Sequence, residues 1–209
     1  MNKDYATSTR KIILTMLKTR GPLSVSEMAS ELGITEMAVR RHLTNLERDQ
    51  LITSELVRKS MGRPSRVYSL SPAADALFPK NYHAFTIELL DQLEEEGGPE
   101  RVAQLFAKRS EKLLERYGAQ MKGKQIEERI CELTQLQNAS GYMAEWEKDK
   151  NGNYIFKEYN CPISEVASVY KQICKCEVSL FKSLLNTDVE MMECIVDGDH
   201  KCAYFIQGK

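Results

Sequence analysis

Apolar and polar positions follow three different rhythms along this chain. Between positions 8 and 19, Ile12, Ile13, Met16 and Leu17 recur at helical spacing, and Gly21-Pro22 ends the run. Ser24 then offers an N-cap with Glu27 three residues later, and Met28, Ala29 and Leu32 continue one apolar face. Gly33 can take a left-handed conformation at no steric cost, which closes a short second helix and lets Ile34 turn into the core. Thr35 caps a third helix to about Asp49, with Ala38, Val39, His42, Leu43 and Leu46 inward and Glu36, Met37, Arg40, Arg41 and Thr44 outward. Two extended runs, from Leu51 to Lys59 and from Val67 to Leu70, flank Met61-Gly62-Arg63-Pro64 and predict a hairpin with a basic tip.

The middle of the chain has longer periods. Pro72 to Phe78 can add a short helix, and Phe78-Pro79 marks a boundary. Beyond it, Tyr82, Phe85, Leu89, Leu90 and Leu93 form one stripe, Val102, Leu105, Phe106, Leu113 and Tyr117 a second, and Ile126, Ile130, Leu133 and Leu136 a third. The last third switches to period two. Tyr142, Ala144 and Trp146 alternate with polar positions, Asn151-Gly152 makes a turn, and Tyr154-Ile155-Phe156 returns. Cys161-Pro162 is placed like an N-cap and first helical residue for one helix to about Leu185, after which Val189 to Val196 and Cys202 to Ile206 form a second hairpin.

The pattern predicts a mostly α fold with an α+β part. A winged helix-turn-helix occupies residues 1–78, a helical linker and dimerisation region 79–138, and a cysteine-containing α+β domain with a small antiparallel sheet 139–209. At 209 residues, 42% hydrophobic and 28% charged, the chain can bury such cores. It has no run of 18 apolar residues and no apolar leader at its start, so the expected address is the cytosol, away from membranes. No Ser/His/Asp order, phosphate loop or histidine–carboxylate metal motif is visible, and three histidines are few, which argues against an enzyme.

Net charge is −1 but unevenly spread: residues 1–75 carry twelve Lys/Arg against eight Asp/Glu. The excess clusters where the motif wants it. Arg40 and Arg41 carry forked donors suited to guanine edges or phosphates, Thr35 and Thr44 can reach phosphates or base edges, Glu36 can accept from cytosine, and Met37 can touch a thymine methyl. Arg58, Lys59, Arg63 and Arg66 on the wing add sequence-independent attraction to a double-stranded operator. A single recognition helix gives little affinity against genomic competitors, so a homodimer with residues 80–118 in its interface is expected.

Five of six cysteines (161, 174, 176, 194 and 202) fall in the last third, and no CxxC pair occurs, which argues against a zinc ribbon or a dithiol redox motif. Thiolates from separate elements can hold an iron–sulfur cluster; the plain alternative is small hydrophobes packed in a core. Cys174 and Cys176 stand about 200° apart on a regular helix and cannot easily serve one centre. Cys131, beside Ile130, reads as a core thiol.

LSVSEMASELGITEMAVRRHLTNLERDQLI followed by GRPSRVYSLSP resembles the winged helix-turn-helix regulators of the DeoR/ArsR-like groups. CPISEVASVYKQIC with VEMMECIVDGDHKCAYFI resembles the C-terminal domain of the iron–sulfur-responsive repressors of the suf operon, and its closing GDxxCxY strand also resembles vinyl-reductase-like ligand domains. The resemblance implies a repressor whose cluster, 4Fe–4S being one form, is held by Cys161, Cys174 and Cys202. Where that family places another cysteine four residues before Cys161, this chain has Lys157. Cys176, Cys194, His200, a carboxylate or a small exogenous thiol are the options for a fourth ligand. The other expectation is a domain that binds a small organic ligand or senses thiol redox state without a cluster.

Overall fold

In a computed structural model of the chain, residues 8–58 and 64–208 are described, and they fall into two compact units divided after Lys80. Residues 59–63, with the expected wing-tip contacts Lys59 and Arg63, lie outside the described residues.

The first unit runs α1 (Thr9–Arg20), β1 (Leu23–Ser24), α2 (Val25–Leu32), α3 (Glu36–Arg48), β2 (Ile52–Val57), β3 (Ser65–Leu70) and a 3-10 turn (Pro72–Leu77). The capping box forms in full: Glu27 N–H donates to Ser24 Oγ at 3.4 Å and Ser24 N–H to Glu27 Oε2 at 2.7 Å. Gly33 takes the left-handed conformation at φ 64°, and Thr35 Oγ1 accepts from Ala38 N–H at 3.3 Å to start α3. The core joins Ile13, Leu17, Met28, Val39, Leu43 and Leu46 to Ile52 and Tyr68 of the hairpin. On α1 the buried stripe is Ile13, Leu14, Met16 and Leu17, with Ile12 exposed rather than inward. The antiparallel sheet has the order β1-β3-β2. β1 was not expected, because two residues are too few to show a period.

The second unit runs α4 (Tyr82–Gly97), α5 (Pro99–Met121), α6 (Ile126–Ala139), β4 (Ala144–Lys148), β5 (Tyr154–Glu158), α7 (Ser164–Val169), α8 (Gln172–Leu185), β6 (Val189–Glu193) and β7 (Cys202–Ile206). Gly98 at φ 74° and Pro99 at the first helical position make the α4–α5 corner. Both hairpins join one antiparallel sheet of order β4-β5-β7-β6, with α8 against it through Phe181, 5.7 Å from Phe156 and 5.1 Å from Tyr204. Packing does not follow the expected division at 138. Met121 of α5 and Ile130 and Leu133 of α6 share a core with Ala144, Phe156 and Tyr204, so helices and sheet form one body.

The single helix expected from Pro162 to Leu185 is two. At Tyr170 the backbone leaves the helical region (φ −113°, ψ 71°), while its ring is buried and its hydroxyl donates to Asp91 Oδ1 at 2.6 Å. A long-range hydrogen bond fixes that kink, which local periodicity does not encode. Cys161 also lies outside α7, whose N-cap is Ile163.

Candidate functional site

Two separate surfaces carry chemistry. On the first unit, the outward face of α3 stands clear of its own core: Met37 is 78% exposed, and Glu36, Arg40, Arg41 and Thr44 are exposed as well. Arg40 leans on Glu36 at 3.3 Å, one helical turn back, a solvated contact worth only a few tenths of a kcal/mol. The Thr44 hydroxyl donates to the Arg40 carbonyl at 3.0 Å, which leaves its oxygen able to accept. Thr35 uses its hydroxyl as the helix cap.

The hairpin extends the same surface. Leu56 pairs with Arg66, Ser54 with Tyr68 and Ile52 with Leu70, so these residues share one sheet face. At its base that face enters the core through Ile52 and Tyr68; further out it carries exposed Leu56 and Arg66, with exposed Arg58 just past the end of β2.

On the second unit, four thiols converge from different elements: Cys161 before α7, Cys174 on α8, Cys194 after β6 and Cys202 on β7. Burial pushes Cys161 up to about 11 and Cys174 and Cys202 up to about 12, and in each the charge of Cys194 adds to the rise. Cys194 is therefore the common neighbour. Two backbone N–H groups aim at sulfur: Ile195 donates to Cys202 Sγ at 3.4 Å, and Ile163 donates to the Cys161 thiol. A cleft of about 320 Å³, lined by Lys171, Cys174, Lys175, Met191, Cys194 and Asp197, opens onto two of the sulfurs.

The other options for a fourth ligand stand elsewhere. Cys176 packs against the same helical cluster as one side of Cys174, but burial and the Arg109 charge act on it and none of the other thiols does. His200 sits edge-on to Tyr159 with centroids 6.4 Å apart. Lys157 bridges to Glu147 at 2.9 Å. Cys131, expected in the core, is exposed, since its neighbour Ile130 takes the inward position on α6.

Sequence reading missed the polar lining behind the thiols. Glu158, 1% exposed, accepts from Gln137 Nε2 at 2.6 Å. The Tyr204 hydroxyl is 3.3 Å from both Glu158 and Glu177. One hydroxyl has a single proton to offer, so it donates fully to only one of the two carboxyls. Burial, then the charge of Glu177, pushes Glu158 up to about 8. The signal was present in β5, where Tyr154, Phe156 and Glu158 occupy the same inward period and the third is a carboxylate.

Soft thiols from separate elements, two buried and two half-buried, with N–H donors to sulfur are the ligand type that iron–sulfur clusters use. Among the described residues, no three His, Cys, Asp or Glu are grouped so that they could hold a single metal ion. Cys194 is in side-chain hydrogen-bond contact with both Cys174 and Cys202.

Residues 5–55 match a family model described as a helix-turn-helix domain, so the first unit is of that class. Among curated proteins none matches the chain. Partial likeness is found to solved structures of three bacterial regulators. Lactococcus lactis ZitR, as its C30S mutant, is 23% identical over 56% of this chain and 80% of its own, with a TM-score of 0.29. The Thermotoga maritima transcriptional regulator Tm0710 is 19% identical over 66% and 75%, with a TM-score of 0.31. Bacillus subtilis PadR in complex with operator DNA is 16% identical over 88% and 99%, with a TM-score of 0.30. Overlap at this level is too slight to transfer a function. No helix among the described residues is long and apolar enough to cross a membrane.

Proposed function

We propose that the chain is a transcriptional repressor that reads operator DNA through α3 and the β2–β3 wing and carries an iron–sulfur cluster in its second unit. On the DNA side, the exposed row Thr35, Glu36, Met37, Arg40, Arg41 and Thr44 supplies the base-reading chemistry, and Arg58 and Arg66 the phosphate contacts. Lys59 and Arg63 join them by sequence alone.

The observation that supports the cluster reading is the meeting of Cys161, Cys174 and Cys202 around Cys194, which makes Cys194 the favoured candidate for the fourth ligand where Lys157 stands. When bound, the cluster supplies one-electron chemistry and sensitivity to oxidants. The residues of this chain would do the rest: burial of Cys194 and Cys202 limits water, Ile163 and Ile195 N–H groups stabilise thiolate sulfur, and Lys175 offsets negative charge at the cleft mouth, Lys171 being paired with Asp197.

A homodimer fits the same reading. Tyr82, Phe85 and Leu89 are 72, 59 and 55% exposed along one stripe of α4, an apolar row that a second copy can cover. Phe85→Glu would then give a monomer in analytical ultracentrifugation with its fold intact.

Anaerobic reconstitution with iron and sulfide tests the cluster. Cys161→Ser, Cys174→Ser, Cys194→Ser and Cys202→Ser should each lose cluster absorbance and iron, whereas Cys131→Ser and Cys176→Ser should keep both. Full iron in Cys194→Ser would remove it from the ligand set, and operator affinity unchanged by cluster removal would refute the sensing role.

A further inference from the structure

A recess of about 460 Å³ lies among α4, α5, α7 and α8, with a floor of buried Leu90, Phe106, Val166 and Ile173. Neither DNA reading nor thiol ligation uses it. Its size lies within the roughly 300–1,000 Å³ of small-molecule sites, and its build matches theirs: an apolar body with few polar groups.

Those polar groups define the ligand. Thr86 has spent its hydroxyl proton on the Tyr82 carbonyl at 2.6 Å. His83 and Glu165 stand at the lining with Arg109. The guanidinium of Arg109 makes no ion pair within the described residues, although the half-buried Glu177 feels its charge. A forked cation beside an apolar recess matches a carboxylate on an apolar body.

We propose that this recess binds a small organic acid with an aromatic or aliphatic body, its carboxylate held by Arg109. A partner helix is the poorer occupant. Of the stripe Tyr82, Phe85 and Leu89 only Tyr82 reaches the recess, whose α4 wall is otherwise His83, Thr86 and Leu90, and the recess is concave with the Arg109 cation at its lining. Pro162, Ile163 and Ile173 form part of the wall, so the acid would sit one residue from Cys161 and Cys174. The site goes beyond the cluster reading and stands whether or not iron is bound.

Calorimetric titration of the full chain with 1-naphthoate, 1-naphthalenemethanol and acetate tests the proposal. Naphthoate should bind one per chain, about tenfold more tightly than the alcohol of the same shape, and acetate should not saturate. Arg109→Gln should erase the gap between acid and alcohol, while Leu105→Trp, at a 46% exposed position that tolerates bulk, should weaken both. Thermal melting of each variant checks that the fold survives. Equal affinity for acid and alcohol, an unchanged gap in Arg109→Gln, or no saturable binding of either aromatic probe would overturn it.

Discussion

The Ser54 hydroxyl donates to Glu47 Oε1 at 2.7 Å, tying β2, the first strand of the wing, to the last turns of the recognition helix. Both partners are half-buried, so the bond helps fix the angle between the two DNA-facing elements. Ser54→Ala should cost about 0.5–1.5 kcal/mol in urea unfolding, the usual net worth of one such hydrogen bond. It should also weaken operator binding in a fluorescence titration, because a loosened wing must be reordered on the DNA. Glu47→Gln keeps an acceptor and should lose less on both measures.

Arginines on α3 and on the wing should behave differently. Arg41→Ala removes a donor fork from the exposed helix face, so it should cost about 1–3 kcal/mol at the matched operator and relax preference at one base pair. Arg66→Ala, on the hairpin, should weaken every sequence alike and lower the slope of log affinity against log salt by about one. Identical effects of the two substitutions across a panel of mutated operators would mean that α3 does not read bases.

A third expectation concerns the inner sheet. Gln137 is the closest donor to the enclosed Glu158 carboxyl, at 2.6 Å. Gln137→Leu keeps most of the volume but removes that donor, so unfolding should become easier by about 1–3 kcal/mol. Such a loss is large beside the roughly 5–15 kcal/mol that holds a domain together. A change below a few tenths of a kcal/mol in a denaturant series would show that Tyr204 and water suffice.

Period and caps made the first unit legible. The Ser24–Glu27 capping box, Gly33 and Thr35 are local devices, and each formed as spacing implies. The alternating strands of the second unit were legible for the same reason. What stayed hidden depends on contacts between residues distant in sequence. Tyr170 reaches Asp91, 79 positions away, and breaks the expected helix. The sequence offered Cys194 as one of several partners for the other thiols, and its place beside them rests on contacts with Cys174 and Cys202, 20 and 8 positions away. Arg109 beside its recess had no local signal, being one of many charges on an amphipathic helix.

Acid should loosen the first unit through Asp49. Arg10 on α1 donates to Asp49 Oδ2 at 2.5 Å, joining the start of the first helix to the end of the third. That hydrogen bond, aided by the charges of Arg10 and Arg48, holds the Asp49 carboxyl below its ordinary value despite the opposing effect of desolvation. A carboxyl depressed in the folded state adds stability above its unfolded pKa, near 3.9, and that contribution is lost as pH falls through the lower folded value. The pair is exposed to solvent, so salt should shrink the effect. Arg10→Gln should raise the Asp49 pKa in a carbon-13 titration and flatten the part of the acid unfolding curve that this residue contributes. If the Asp49 resonance titrates at the same pH with and without Arg10, the tie between α1 and the end of α3 has no electrostatic content.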